Sequence, residues 1–114
     1  MVTCFDVVSM VVEEATEKFA SKYRLNHTDY EYLETYCKII DNLADEFDAD
    51  SFTACIDEND MTVVVCIECE DLTILNADHA FYALAENSIS ISFSATHDEN
   101  MQVKFVFPSV WQSI

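Results

Sequence analysis

Along the first 47 residues, apolar side chains recur at the three- and four-residue spacing of amphipathic helices. The pattern predicts a first helix from Thr3 to about Arg24 and a second from Thr28 to about Phe47. Each begins with a capping box, in which a threonine is followed three residues later by an acidic residue. The N-terminal half of the chain is therefore predicted to be two packed helices.

The second helix has an acidic side. At 100° per residue its apolar positions share one side, and the opposite side carries four acids: Glu34, Asp41, Asp45 and Asp48. Like charges four residues apart destabilise a helix by roughly 0.2 to 0.5 kcal/mol a pair, so Asp41 with Asp45 does not favour folding. The pattern predicts an exposed ridge of negative charge.

Beyond the second helix the apolar period changes from 3.6 to 2, which is typical of strands. Residues Ser51 to Asp57 and Val63 to Glu68 form one predicted hairpin, with a turn between them. Residues Ile89 to Ala95 and Val103 to Phe107 form a second. Between the hairpins, Ala77 to Glu86 is predicted to be a third helix, with Asn76 as its N-cap.

These elements predict an α+β fold: two N-terminal helices packed on a four-stranded antiparallel sheet made of two hairpins, with a short third helix between the hairpins. Strict alternation indicates that one face of the sheet meets the helices and the other meets water. The wet face is expected to carry Asp57, Glu68, Glu70, Ser88, Ser90, Ser92 and Ser94. With 114 residues, positions 1–114 are predicted to form a single domain with a real core.

The chain contains no glycine. This excludes the P-loop, the dinucleotide-binding fingerprint and the nucleophile elbow, which need a backbone without Cβ near the ligand. It also excludes the EF-hand, so the acids around Asp48 resemble a calcium loop in composition only. Turns that need a positive φ are expected to use Asn and Asp instead.

The five cysteines are an odd number, and the apolar N-terminus lacks the basic segment of a secretory signal. We therefore expect reduced thiols and a cytoplasmic protein. Cys66 and Cys69 form a C-x-x-C, but in a strand this odd spacing points the two thiols to opposite faces. Neither a metal site nor a cofactor is predicted, and no apolar run has the length of a membrane span.

Catalytic signals are weak. The histidines His27, His79 and His97 lie in separate segments and suggest no Ser/His/Asp or Cys/His order. Pairs of carboxylates could supply a general acid and base, but glycosidases need a deep cleft and usually a longer chain. The protein is predicted to have no catalytic residue and to be non-enzymatic, with an enzyme kept as a distant alternative.

The distribution of charge is the most informative remaining feature of the sequence. The net charge is −17, and the segment from Ile39 to Val103 holds fifteen acids and no Lys or Arg. Residues 1–38 hold seven acids and four bases. Adaptation to high salt would spread acids over every face, so this unevenness favours a surface directed at a partner.

Few partners fit such a surface. Nucleic acids and membranes are themselves negative and are repelled. The remaining classes are the cationic grooves of nucleic-acid-binding proteins, basic toxins and basic segments of secreted clients. The sequence leaves a homodimer open.

In size, charge window and acidic helix side, the chain resembles the small acidic α+β proteins that phages and mobile elements use to inhibit CRISPR effectors or restriction enzymes by imitating DNA. The resemblance implies a stoichiometric inhibitor whose carboxylates occupy a Lys/Arg groove of a nuclease or CRISPR effector. Two alternatives use similar electrostatics: an immunity protein for a basic nuclease toxin, and an acidic secretion chaperone.

The predicted partner-binding residues are the acids of the second helix, the first hairpin and the loops beside them: Glu34, Asp41, Asp45, Glu46, Asp48, Asp50, Asp57, Glu58, Asp60, Glu68, Glu70 and Asp71. The second helix alone presents four acids over about 21 Å. Duplex DNA of that length presents about twelve phosphates. Mimicry therefore requires the acids of the hairpin to extend the same surface.

Overall fold

A computed structural model of the chain describes residues 2–46, 49, 51–69, 78–95 and 100–114. Within these ranges the helices are α1 (Cys4–Lys18), α2 (His27–Glu46) and α3 (Asp78–Glu86). The strands are β1 (Tyr23–Leu25), β2 (Ser51–Asp57), β3 (Thr62–Cys69), β4 (Ser90–Ala95), β5 (Met101–Phe107) and β6 (Trp111–Ser113). The predicted α+β class is confirmed.

Four strands form an antiparallel sheet in the order β2-β3-β5-β4. The pairs β2–β3 and β4–β5 are the two predicted hairpins, and β3–β5 pairing joins them. The predicted four-stranded sheet is confirmed. The turn predicted at 97–100 lies largely outside the described residues.

One face of this sheet forms the core. Val65 lies opposite Ala54 on one side and Phe105 on the other, and Phe105 is fully buried. Each helix covers a different part of that face. The buried side of α1 lies over β2 and β3, Tyr36 of α2 stacks on Phe107 of β5, and Phe81 of α3 meets Phe93 of β4 edge-on.

The first helix is shorter than its apolar stripe predicts. It ends at Lys18 rather than near Arg24, and the N–H of Tyr23 returns to the Phe19 carbonyl across a turn. Tyr23–Leu25 then pairs with Trp111–Ser113 in a second, two-stranded antiparallel sheet. This sheet was not predicted, because its partner strand lies at the far end of the sequence.

The second helix is capped by Asn26, one residue before its first turn. The Asn26 side-chain oxygen accepts hydrogen bonds from the N–H groups of Thr28 and Asp29, at 3.1 and 3.3 Å. The predicted capping box at Thr28 is therefore wrong. An N-cap Asn satisfies two of the N–H groups that a helix start leaves free.

Positive φ falls on unexpected residues. Among the described residues it occurs at Met61 (φ 52°) and Ser88 (φ 64°), not at Asn or Asp. Left-handed backbone costs an L-residue roughly 1 to 2 kcal/mol. At Met61 the burial of the side chain offsets that cost.

Candidate partner-binding surface

Asp41 has a structural role. It is half-buried, and its carboxylate accepts a hydrogen bond of 2.9 Å from the backbone N–H of Cys4, the first residue of α1. The same helix start carries the predicted capping box between Thr3 and Asp6. Asp41 therefore supplies a charged acceptor to a helix end that carries positive partial charge. The expectation that Asp41 lies on an exposed ridge is wrong.

Two buried thiols lie beside this contact. Cys4 and Cys37 are fully buried. The pKa of Cys4 is raised far above its ordinary value by a hydrogen bond with Cys37, by burial and by the charges of Cys37 and Asp41. A thiol held neutral in this way is a poor nucleophile and a poor metal ligand. Within the described residues no group of three or more His, Cys, Asp or Glu side chains could hold a metal ion.

The C-x-x-C motif is split across the sheet as predicted. Cys69 is fully buried in the core, whereas Cys66 lies on the open face, partly exposed. Burial raises the pKa of Cys66, and the neighbouring Cys55 adds to that rise. The two thiols therefore do not form a common site.

These environments predict an order of thiol reactivity. An aromatic disulfide reagent is expected to modify exposed Cys55 first and Cys66 more slowly, because only thiolates attack. The buried thiols Cys4, Cys37 and Cys69 are expected to react only in denaturant. The absorbance of the aromatic thiolate that the reagent releases measures each phase of the reaction. Cys55→Ser should remove the fast phase. Rapid reaction of all five thiols in buffer would contradict this burial.

Asp45, in the last turn of α2, lines a groove. The groove has a volume of about 690 Å³ and lies where α1 and β2 begin, between Thr3, Asp45 and Phe52. Asp45 and Glu46 are exposed in the last turn of α2, and Glu34 is exposed three turns earlier. Asp48 and Asp50 lie outside the described residues.

A second group of acids lies at the turn between β2 and β3. Asp57 accepts a hydrogen bond from the Asn59 N–H at 3.1 Å, and Glu58 forms a 2.7 Å ion pair with Lys18. Asp60 is exposed. This turn is at the far end of β2 from the groove, about 20 Å away at 3.3 Å per residue.

The helix α1 connects the two groups. It lies along β2 in the same direction, since Thr3 shares the groove with Ser51 and Lys18 reaches Glu58. Glu13, Glu14 and Glu17 are exposed along it. These α1 acids were not among the predicted binding residues, because residues 1–38 are nearly balanced in total charge. Their positions on the polar side of the first helix were the available signal.

Tyr30 links α1 to the α2 acids. Burial raises the pKa of Tyr30, and the charges of Glu13 on α1 and Glu34 on α2 raise it further. Glu13 and Glu34 are therefore both near Tyr30. We name the connected set the acidic surface: Glu13, Glu14, Glu17, Glu34, Asp45, Glu46, Asp57, Glu58 and Asp60.

Glu68 lies apart from this set. It is on the open face of the sheet, opposite Ser51, and accepts a hydrogen bond of 3.1 Å from the Asn100 side chain. Glu70 and Asp71 lie outside the described residues. The described part of the open face carries mainly serine, threonine and small apolar side chains, with Lys104 near its centre. Among the described residues, Asp57 and Glu68 are thus the acids on the strands of the open face, and most of the others lie on the helices or at the β2–β3 turn.

Among the described residues, few acids are neutralised by an ion pair. Lys18–Glu58 is the only ion pair found in the described ranges. The helices α1 and α2 together contain ten acids and two lysines, a difference of eight charges.

In the ranges that the structure covers, no helix has the length and apolar character needed to cross a membrane. Comparison with models of protein families, with curated protein sequences and with solved structures gave no significant match. The acidic surface is therefore the main indication of function.

Proposed function

We propose that this protein is a non-enzymatic inhibitor that binds the basic nucleic-acid-binding groove of a nuclease or CRISPR effector and imitates DNA there. The observation that carries the proposal is the acidic surface: nine carboxylates on α1, α2 and the β2–β3 turn, with one internal ion pair among them. Charge steering would give such a protein a fast, salt-sensitive association.

The acids are placed where they oppose folding. Asp45 and Glu46 occupy the last turn of α2, which has no basic residue. A helix C-terminus carries negative partial charge, so each acid there costs roughly 0.3 to 1 kcal/mol where a base would stabilise. Residues that oppose folding are typical of functional surfaces.

The density of charge also supports mimicry better than the second helix alone. The acidic surface follows α1, whose fifteen residues extend about 21 Å. Its nine acids less Lys18 and Lys38 leave seven charges, compared with about twelve phosphates on duplex DNA of that length. The second helix alone was predicted to present four acids.

The test is competition between the protein and nucleic acid. A basic nuclease or effector captured from a lysate is purified, and its affinity for this protein is measured with and without a saturating short duplex or the effector's guide RNA. We expect mutual exclusion, and a large loss of affinity between about 0.15 M and 1 M salt, where screening acts within about 3 Å.

The opposite outcome is equally specific. A complex that forms undiminished on the nucleic-acid-loaded partner would overturn mimicry. If the partner is a toxin nuclease, that result indicates an immunity protein bound beside the catalytic surface. Binding that persists in 1 M salt would indicate an apolar client interface instead.

A further inference from the structure

A small cavity lies on the other flank of α2, away from Asp41 and Asp45. It has a volume of about 210 Å³, and its walls include Asp29, Tyr32, Tyr36, Asn87 and Pro108. Positions 29, 32 and 36 share one side of α2 at 100° per residue. Asn87 follows α3, and Pro108 follows β5. The cavity therefore lies between two helices and the C-terminal segment.

Its aromatic wall is a stack of three rings. Tyr32 and Tyr36 are 6.4 Å apart with planes 20° apart, and Tyr36 and Phe107 are 6.3 Å apart at 21°. Phe107 is fully buried, whereas Tyr32 is 56% exposed. The Tyr32 ring is exposed but already held against the stack formed by the other two rings. It can therefore contact a partner with little further loss of side-chain conformational entropy. Such tyrosines are enriched among the residues that dominate protein interfaces.

The cavity has two side-chain groups that can accept a hydrogen bond from a cation, the Asp29 carboxylate and the Asn87 oxygen, beside the hydroxyls of Tyr32, Tyr36 and Ser109. The Asp29 carboxylate makes no hydrogen bond or ion pair with the described residues. The pKa of the Tyr36 hydroxyl is raised mainly by burial, then by Tyr32 and by the charge of Asp29. Asp29 is therefore close to that hydroxyl. Asn87 donates its amide to the Ala83 carbonyl at 2.8 Å, which leaves its Oδ1 as an acceptor. Proline has no N–H to donate.

We propose that this cavity binds an arginine side chain of the basic partner. A guanidinium is planar, stacks on a tyrosine ring and donates two parallel hydrogen bonds to a carboxylate, so it matches both the Tyr32–Tyr36 wall and Asp29. Lysine carries the same charge but offers neither the plane nor the paired donors. The proposal rests on the proposed function for the origin of the arginine, and it adds a specific anchor to a surface that otherwise attracts by charge.

The probe is a blocked arginine amide, N-acetyl-arginine amide, titrated into the full chain and followed by amide NMR. We expect shifts confined to residues near 29–36, 87 and 108–110, with the matched lysine amide binding at least about two- to five-fold more weakly. Tyr32→Ala and Asp29→Asn should each weaken arginine binding by a similar factor.

Two variants control for general effects. Tyr82→Ala removes a tyrosine that is 68% exposed on α3, and Glu68→Gln removes a negative charge from the open face of the sheet while keeping an acceptor for Asn100. Both should leave the arginine titration unchanged. Shifts that spread over the acidic surface, equal binding of the lysine amide, or no shift at all would overturn the proposal.

The probe needs no partner protein, so its result is separate from that of the nucleic-acid competition. An arginine-specific shift with failed competition would retain the cavity and reject mimicry. Successful competition with no arginine-specific shift would support mimicry and reject the cavity as an arginine site.

Discussion

Replacing Asp41 with lysine is expected to lower the free energy of unfolding by about 3 kcal/mol. The substitution removes a charged acceptor from the Cys4 N–H, worth roughly 1.5 to 3 kcal/mol. It also places a cation beside the positive end of α1, which costs up to about 1 kcal/mol more. Urea unfolding monitored by circular dichroism measures the change.

The matched control is four residues along the same helix. Asp45→Lys should leave stability unchanged or raise it by up to about 1 kcal/mol, because it ends the repulsion from Asp41 and puts a cation at the helix C-terminus. Asp41→Asn keeps a neutral acceptor and should recover much of the loss. Equal destabilisation by Asp41→Lys and Asp45→Lys would show that the Cys4 contact does not hold α1 in solution.

This contrast restricts how the surface can be tested. An Asp41 variant could lose binding because a partner contact is removed or because the α1–α2 junction is damaged, and the measurement would not distinguish these causes. Asp57 has a similar difficulty, since it accepts the hydrogen bond that forms the β2–β3 turn. Glu34, Asp45, Glu46 and Asp60 have no such contact within the described residues and can be changed more safely.

Local patterns predicted most of the fold. The alternation in Ser51 to Asp57 and in Val103 to Phe107 is a property of each segment, and both became strands with the expected face inward. The β1–β6 sheet depends on an encounter between Tyr23–Leu25 and Trp111–Ser113. The sequence of neither three-residue strand indicates that they pair. Tyr23 was therefore assigned to the first helix, because it continues the helical spacing of the apolar residues.

The candidate surface was predictable in charge but not in detail. Asp41 and Asp45 have the same residue type and lie on the same side of α2. What separates them is the position of the α1 N-terminus, which helical periodicity cannot supply. Conversely, the acids Glu13, Glu14 and Glu17 were missed because nearby bases balance their charge in the sequence. Of those bases, only Lys18 pairs with an acid in the described ranges.

The position of the acids relative to the sheet is also informative. A charge spread for solubility would occupy the open sheet face as readily as the helices. Along that face the described residues include Ser90, Ser92 and Ser94 on β4 and Lys104 on β5, with Asp57 and Glu68 as its acids. The larger number of described carboxylates on the helical side is the distribution expected of a directed surface.

Neutralising either end of the acidic surface is expected to weaken partner binding by about 100-fold. One triple variant changes the α2 end: Glu34→Gln, Asp45→Asn and Glu46→Gln. The other changes the turn end: Glu14→Gln, Glu58→Gln and Asp60→Asn. If each interfacial charge contributes roughly 1 kcal/mol, three contribute about 3 kcal/mol, and every 1.4 kcal/mol is tenfold in affinity.

The control matches the change in net charge. Ser90→Lys, Ser92→Lys and Ser94→Lys also adds three positive charges, but on the exposed serines of the open sheet face. Surface plasmon resonance at about 0.15 M salt should show at most a few-fold loss for this control, and for each acid variant a slower association as well as weaker binding. A DNA-like surface requires both ends, since a nucleic-acid groove is continuous. Loss at one end alone would reduce the interface to that end, and equal loss in all three variants would mean that net charge, not its placement, governs binding.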